Sequence, residues 1–190
     1  INIANGESKL PLIETLSPLH DLIIIGGTFH NVYECLPWKS PLIPWLKTMR
    51  ETGVPILGIC GGHQAMAVAC SGVVEQRTTG TAAGTLAIHL TDKGRVHPMF
   101  SKISAPPRFH FGNSDHVTQV PVDATILATT PDSPAVAMDW SNYWWSCQYH
   151  PEATHTIFQH WIETNIITSQ LEPYVASPSG TTLLFNFVNR

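Results

Sequence analysis

The chain has 190 residues, 13% of them charged, and a formal net charge of −4, a length that suits one domain with a sizeable core. Its 10 lysine and arginine residues form no basic block, which argues against a nucleic-acid partner. No apolar run approaches the roughly 18 residues that span a bilayer, and no signal peptide is visible, so the sequence predicts no membrane segment.

The first part of the chain alternates short apolar strands with helices. Residues 1–4 have the character of a short strand, and residues 8–16 could form a brief helix with a proline in its first turn. Residues 21–25 are a continuous apolar run that ends in two glycines, as expected for a parallel strand covered on both faces. Residues 42–52 then show helical spacing. This order predicts an α/β sandwich.

A cysteine-centred turn follows. The apolar run after Pro55 predicts a buried strand, and residues 62–70 predict a helix of small side chains. Cys60 lies between them, with a glycine two residues before it and another two residues after it, which indicates a strained nucleophile elbow. The helix N-terminus would favour a thiolate there, and the N–H of Gly61 would face the attacked group. Taken alone, the pattern equally fits a structural cysteine in a tight turn.

From residue 73 the pattern becomes rich in short strands. Alternating runs between Pro and Asp turns predict strands at residues 73–74, 85–90, 107–111, 125–128, 135–139 and 144–149. Apolar residues on one side predict a helix over residues 152–167, and a terminal helix is predicted over 181–188. Alternation should place Trp144 on one face of its strand and Trp145 on the other.

The segment Gln-Tyr-His-Pro-Glu at residues 148–152 closes this half. Pro151 should end the strand, so that His150 projects from its C-terminal end, where α/β sheets carry their chemistry. Glu152 can accept the imidazole N–H and fix its tautomer, which would make His150 the base that a nucleophilic Cys60 requires. A histidine that ends a strand before a helix-starting glutamate is the simpler interpretation of this segment alone.

The cysteines and histidines show no metal-binding pattern. Three of the ten histidines, in residues 150–160, stand five positions apart and would not share a helix face. The spacing of the cysteines also lacks a disulfide framework, so we expect no metal site and a reducing, cytoplasmic location. The four cysteines are Cys35, Cys60, Cys70 and Cys147.

Together these motifs resemble the class I (triad) glutamine amidotransferase family, especially its GMP-synthetase-type glutaminases. The resemblance rests on Gly-Ile-Cys-Gly-Gly-His-Gln at residues 58–64, on the segment at residues 148–152, on the strand and loop at residues 21–34, and on the closing helix at residues 184–187. It implies a single domain over residues 1–190 with a flavodoxin-like three-layer α/β fold. A mostly parallel central sheet would have helices on both faces and extra antiparallel strands in the C-terminal half.

The resemblance also implies a chemistry that needs no cofactor. Carried over to the matching positions, it implies six site residues: the nucleophile Cys60, the acid and base His150, the orienting Glu152, the oxyanion donors Gly27 and Gly61, and the glutamine-binding Gln64. Cys60 would attack the side-chain amide of glutamine, and His150 would protonate the departing ammonia. Water would then hydrolyse the γ-glutamyl thioester.

Three departures from the family pattern qualify these expectations. The family's first strand and helix have no counterpart before residue 1, so we expect either an incomplete N-terminus or a sheet edge covered by a partner. Residues 28–30 are Thr-Phe-His where the family has proline and small residues, and this bulk would alter which substrates are accepted. Residues 111–117 carry Asn-Ser-x-His, a form closer to the γ-glutamyl hydrolases of the same superfamily. We expect the amino-acid end of the substrate to contact Asn113, Ser114, Asp115 and His116.

The sequence is compatible with three functions. The first is a glutaminase that passes ammonia to a separate synthetase partner. The second is a stand-alone γ-glutamyl hydrolase or peptidase that uses the same triad. The third is a non-catalytic binding or regulatory protein, against which the presence of all three triad residues argues. A partner-dependent glutaminase should be slow alone, whereas a hydrolase should turn over by itself.

Overall fold

The computed structural model describes residues 9–34 and 36–190 of the chain. The strand predicted at residues 1–4, the first residue of the helix predicted at residues 8–16, and Cys35 lie outside the described residues. The strands are β1 Ile23–Ile25, β2 Ile56–Ile59, β3 Val73–Gln76, β4 Ala82–Ala87, β5 His89–Leu90, β6 Arg108–Asn113, β7 Asp115–Gln119, β8 Thr125–Thr130, β9 Ser133–Asp139 and β10 Trp144–Cys147. The helices are α1 Leu42–Met49, α2 Gly61–Ala69, α3 Asp92–Val96, α4 His155–Glu163 and α5 Ser179–Val188, with 3-10 turns at Ile13–Thr15 and Pro98–Phe100. None of the helices in these two ranges has the length and apolar character to cross a bilayer.

Six strands form the central sheet, in the order β1-β2-β10-β9-β8-β5. Strands β1, β2 and β10 run parallel to one another. Strands β9, β8 and β5 continue the sheet in antiparallel fashion. Two further antiparallel pairs, β3 with β7 and β4 with β6, lie outside the central sheet. The parallel strands deliver their C-terminal ends to one edge, and this edge carries the motifs of interest.

Helices pack against both faces of the sheet. On one face, α1 and α2 contribute a core that includes Leu46 and Trp144, both fully buried. On the other face, α5 buries Phe187, whose ring centroid lies 5.6 Å from that of Trp145. Trp144 and Trp145 therefore point to opposite faces, as the alternation predicts. The predicted three-layer α/β sandwich with antiparallel additions in the C-terminal half is confirmed.

Helix α4 is shorter than predicted at both ends. Thr154 has extended backbone angles, so the helix begins at His155 and not at residue 152. Asn165 has a φ of 57°, a left-handed conformation that stops the helix before residue 167. Because residues 151–154 form a corner instead of a helical turn, Glu152 can fold back toward the preceding strand.

Strand β7 is not predicted from the sequence. It pairs with β3, and Val117 lies opposite Val74. Asp115 and Val117 are buried whereas His116 between them is partly exposed, so the strand has the usual two-sided alternation. The polar composition of residues 111–117 conceals this alternation, because the buried position nearest the turn is an aspartate.

A buried histidine lies in the helix that follows the cysteine-centred turn. His63 in α2 is fully buried, and its Nδ1 lies 2.9 Å from Ser146 Oγ, which also accepts the indole N–H of Trp140. Burial lowers the pKa of His63 to about 3, although a backbone hydrogen bond with Ala135 acts in the opposite direction. The unfolded chain takes up this proton below about pH 6.5, whereas the folded chain does not until about pH 3. Stability should therefore fall as the pH drops below about 6.5.

We expect His63 to cost about 1 kcal/mol of unfolding free energy between about pH 7 and pH 5.5. Urea unfolding of the wild type and of His63→Asn at both pH values isolates this contribution, because the other titrating groups are common to both proteins. His89→Asn, at an exposed position, is the control for the loss of a histidine outside the core. The same loss of stability in the wild type and in His63→Asn would contradict the assignment.

Candidate active site

The turn between β2 and α2 holds Cys60 in a strained conformation. Its φ of 50° and ψ of −104° lie outside the regions that L-residues favour, and its N–H donates to the carbonyl of Cys147 at 2.8 Å. A side chain at Gly58 would approach the carbonyl of Gly62 to 2.9 Å. A side chain at Gly62 would overlap the carbonyl oxygen of Ile25. The two flanking glycines are therefore required by close backbone contacts, as the elbow interpretation predicts.

His150 follows β10 and faces this cysteine. Its Nδ1 lies 2.7 Å from Glu152 Oε1, so its Nε2 is the nitrogen left for the side-chain hydrogen bond with Cys60. Burial would lower the pKa of His150, but the charge and hydrogen bond of Cys60, followed by those of Glu152, raise it to about 10. The imidazole is thus held between a sulfur and a carboxylate. The structure brings Cys60, His150 and Glu152 together in the predicted order.

Gly27 and Gly61 flank the sulfur. A side chain at Gly27 would lie 3.1 Å from His150 Cε1 and 3.7 Å from Cys60 Sγ, so the backbone of this loop passes directly over the pair. A side chain at Gly61 would lie 3.1 Å from the backbone nitrogen of Thr28. Gly61 is also the first residue of α2, where a backbone N–H has no partner within the helix. Both predicted oxyanion donors therefore lie next to Cys60.

Side-chain amides connect Cys60 to β7. Gln148 Nε2 lies 3.7 Å from Cys60 Sγ, and Gln148 Oε1 accepts from Gln64 Nε2 at 3.2 Å. Gln64 Nε2 also donates to the carbonyl of Asp115 at 3.1 Å, and Asn113 Nδ2 donates to the same carbonyl at 2.8 Å. Because both amide hydrogens of Gln64 are used within the protein, its Oε1 is the atom left for a ligand. Sequence analysis gave no role to Gln148, although its place two residues before His150 is a signal that it faces the same side.

Two buried oxygens at this end of the site have no partner. Asn113 Oδ1 and Asp115 Oδ1 are buried and accept no hydrogen bond. Burial raises the pKa of Asp115, and a hydrogen bond with Tyr33 opposes this. Tyr33 is a contact that sequence analysis missed, because it lies in the loop after β1, far away in the chain. A ligand with N–H donors would satisfy both oxygens.

The other two residues predicted at this end lie apart from these oxygens. The side chain of Ser114 is exposed, and its carbonyl accepts from the backbone N–H of Arg77 at 2.8 Å. His116 occupies the alternate face of β7 from Asp115, opposite Glu75 of β3. Burial and the neighbouring charge of Arg77 lower the pKa of His116. Contact of Ser114 and His116 with a substrate stays a prediction.

The part of the chain that the structure describes has no cluster of side chains that could bind a metal ion. Across residues 9–34 and 36–190, no three or more His, Cys, Asp or Glu side chains are grouped so that they could hold a metal ion. The three described cysteines, Cys60, Cys70 and Cys147, are free thiols. The described geometry is that of a thiol and an imidazole beside unpaired backbone donors, which suits acyl transfer.

The chain is similar to known proteins over most of its length. The model of the family described as "Glutamine amidotransferase class-I" matches residues 7–169. A GMP synthase (glutamine-hydrolysing) of Parafrankia is 32% identical over 150 residues, which cover 77% of this chain and 26% of that protein. The corresponding enzyme of Brucella melitensis is 30% identical over 175 residues, which cover 88% of this chain and 28% of that protein. The chain thus spans about a quarter of the length of these curated relatives.

Solved structures share the fold at low sequence identity. A glutamine amidotransferase of Thermotoga maritima superposes with a TM-score of 0.79 at 18% identity, over 100% of this chain and 84% of that one. A glutamine amidotransferase of Methylobacillus flagellatus superposes with a TM-score of 0.77 at 16% identity, over 97% of this chain and 81% of that one. The family match covers most of the chain and includes the cysteine turn and the His150 corner. This chain belongs to the class I glutamine amidotransferase family.

Proposed function

We propose that this chain is a cysteine-dependent glutaminase that hydrolyses the side-chain amide of glutamine through a γ-glutamyl thioester on Cys60. The observation that carries the proposal is the contact of His150 with both Cys60 and Glu152. Cys60 and Glu152 both raise the pKa of the buried His150 imidazole, which places the ring between a nucleophile and an orienting carboxylate. The family membership supports the same reaction class.

The proposed reaction has two acyl-transfer steps. In the first, the sulfur of Cys60 bonds to the amide carbon, the C–N bond breaks, and the proton of His150 goes to the departing ammonia. In the second, His150 takes a proton from water, which attacks the thioester and releases glutamate and the thiolate. The N–H groups of Gly27 and Gly61 would hold the oxyanion in both steps. These residues supply every proton transfer, so the proposal includes no cofactor.

We place the amino-acid end of glutamine beside the buried polar groups of β7. Its α-ammonium group would donate to the unpartnered oxygens of Asn113 and Asp115. Gln64 Oε1 would accept a further N–H of the substrate. The free thiols suit a reducing compartment, for which the cytoplasm is the expected place.

We propose that the ammonia passes to a synthetase partner. The relatives named GMP synthase are about four times as long as the matched segment, so their synthetic part lies outside the region that this chain matches. A synthetase partner would then be a separate polypeptide or another segment of a longer protein. The test is partner dependence: the glutaminase rate of the purified chain should be low and should rise when the partner synthetase or a cell extract containing it is added.

The alternative function is a stand-alone γ-glutamyl hydrolase. It is favoured by the Asn-Ser-x-His pattern at residues 113–116, in which Asn113 is bonded to the carbonyl of Asp115 and keeps a free buried oxygen. Such an enzyme would hydrolyse γ-glutamyl amides quickly without any partner. Fast turnover by the isolated chain that no extract accelerates would favour this alternative over the partner-dependent glutaminase.

Hydroxylamine trapping tests the thioester directly. Hydroxylamine attacks a thioester at its carbonyl carbon, so turnover of glutamine in its presence should yield γ-glutamyl hydroxamate in competition with glutamate. The wild type and Cys70→Ala, which removes a half-buried thiol away from the site, should both form the hydroxamate. Cys60→Ala is the blank. Hydroxamate formation by Cys60→Ala would exclude the proposed nucleophile.

A further inference from the structure

Aromatic side chains line the His150 side of the site. The ring centroid of Trp161 in α4 lies 6.3 Å from that of His150. The ring of Phe29, in the loop after β1, meets Trp161 edge to face at 5.5 Å. Phe158 packs behind them, 5.3 Å from His150 and 4.9 Å from Trp161. Phe29 and Trp161, here called the aromatic wall, thus connect the loop of Gly27 with helix α4 beside His150.

The loop that carries Phe29 is held against the site. A side chain at Gly27 would meet the Cys60–His150 pair, and one at Gly61 would clash with Thr28, so the loop backbone lies close to both. The Thr28 hydroxyl also accepts the backbone N–H of His30 at 3.1 Å. Despite these anchors, the side chain of Phe29 is 75% exposed. A large apolar ring is therefore fixed at the rim of the site with most of its surface in water, where a ligand could cover it.

The positions assigned to the other parts of the substrate place the leaving group at this wall. The oxyanion belongs at Gly27 and Gly61, and the amino-acid end belongs at Asn113 and Asp115 on β7. The departing nitrogen must meet His150, because it receives the proton of His150. Trp161 lies beside His150, and Phe29 packs on Trp161, so a substituent on that nitrogen would extend toward these two rings. Ammonia carries no such substituent and would leave the wall unused.

We propose that the aromatic wall is a leaving-group subsite for γ-glutamyl amides that carry an apolar or aromatic substituent on the amide nitrogen. The proposal rests on the thioester mechanism and adds a substrate class to it. With such a substrate, Cys60 bonds to the γ-carbon, the C–N bond breaks, and the proton of His150 passes to the departing amine. Water then releases glutamate from the thioester and returns a proton to His150. The substituent packs against the rings of Phe29 and Trp161 while the C–N bond breaks.

The test compares glutamine with γ-glutamyl benzylamide. Benzylamine and ammonia are both basic amines, so the two substrates differ mainly in the apolar ring. We expect the wild type to hydrolyse the benzylamide as well as glutamine, in a reaction that requires Cys60. We expect Phe29→Ala to lower kcat/KM for the benzylamide about tenfold and to change that for glutamine less than about twofold. Tyr143→Ala, which removes a ring that is 54% exposed in the turn before β10, is the matched control and should change neither value.

The stability of Phe29→Ala and the rates on the two substrates together decide the proposal. Because Phe29 is mostly exposed, its removal should leave the unfolding midpoint unchanged, and this is measured in parallel. If Phe29→Ala hydrolyses the benzylamide faster than the wild type, the wall excludes substituents. If Phe29→Ala loses the same factor in kcat/KM on both substrates, Phe29 only stabilises its loop. Either result overturns the proposal. Cys60-dependent turnover of glutamine without turnover of the benzylamide overturns the subsite alone. Absence of Cys60-dependent turnover with both substrates overturns the proposed function together with the subsite.

Discussion

Replacement of His150 by alanine is expected to lower the turnover of glutamine about 10,000-fold. The substitution removes the group that protonates ammonia in the first step and activates water in the second. It also removes the positive charge beside Cys60, so the sulfur should react more slowly with small electrophiles near neutral pH. A single change should therefore depress two independent readouts, kcat for glutamine and the rate of Cys60 alkylation.

Both readouts have controls within the chain. Glutamate release gives kcat, and iodoacetamide labelling followed by peptide mass analysis gives the alkylation rate of Cys60. His155→Gln is the matched control, because His155 lines one cavity together with His150 and Glu152 but has no described hydrogen bond with Cys60 or Glu152. It should change kcat less than about threefold. A His150→Ala protein that keeps more than a hundredth of the wild-type kcat would remove His150 from the proposed mechanism.

The turn around Cys60 and the His150 corner could be predicted from sequence because their geometry is local. Gly58, Cys60 and Gly62 lie within five positions, and backbone contacts over that distance require glycine whatever the rest of the fold does. Pro151 similarly fixes the corner that lets Glu152 reach His150. The three-layer fold also follows from local patterns, because apolar strand runs alternate with helices on either side of the turn.

The rest of the site depends on contacts between distant parts of the chain. Gln64 meets Gln148 across 84 positions, and no periodicity in either segment reports that contact. Tyr33 and Asp115 come together in the same way. The sequence does not predict β7, so it does not show that Asp115 and His116 point to opposite faces of a strand. Long-range strand pairing, which sequence spacing does not encode, decides which polar side chains share the cleft.

Replacement of Gly62 by alanine is expected to be the most destabilising single-methyl change at the site. In an ordinary helix this substitution would stabilise by about 1 kcal/mol, because alanine has the higher helix propensity. Here the new methyl would overlap the carbonyl oxygen of Ile25 and lie 3.0 Å from the Ile25 Cβ. Neither group can move freely, since Ile25 is hydrogen-bonded in β1 next to β2. The clash should therefore outweigh propensity, with a net loss of about 3 kcal/mol in the free energy of unfolding.

The same clash should also lower the glutaminase activity, because Ile25 leads directly into Gly26 and Gly27. A shift of β1 would displace the Gly27 backbone from Cys60, so Gly62→Ala should lose glutaminase activity even at temperatures where it is folded. Urea unfolding and glutamate release measured on one preparation separate the two effects. Gly26→Ala is the matched stability control: a side chain there has nothing within 4 Å, so its unfolding midpoint should match that of the wild type. A Gly62→Ala protein as stable as Gly26→Ala would mean that α2 can move away from β1, and the conclusion that close backbone contacts require Gly62 would be wrong.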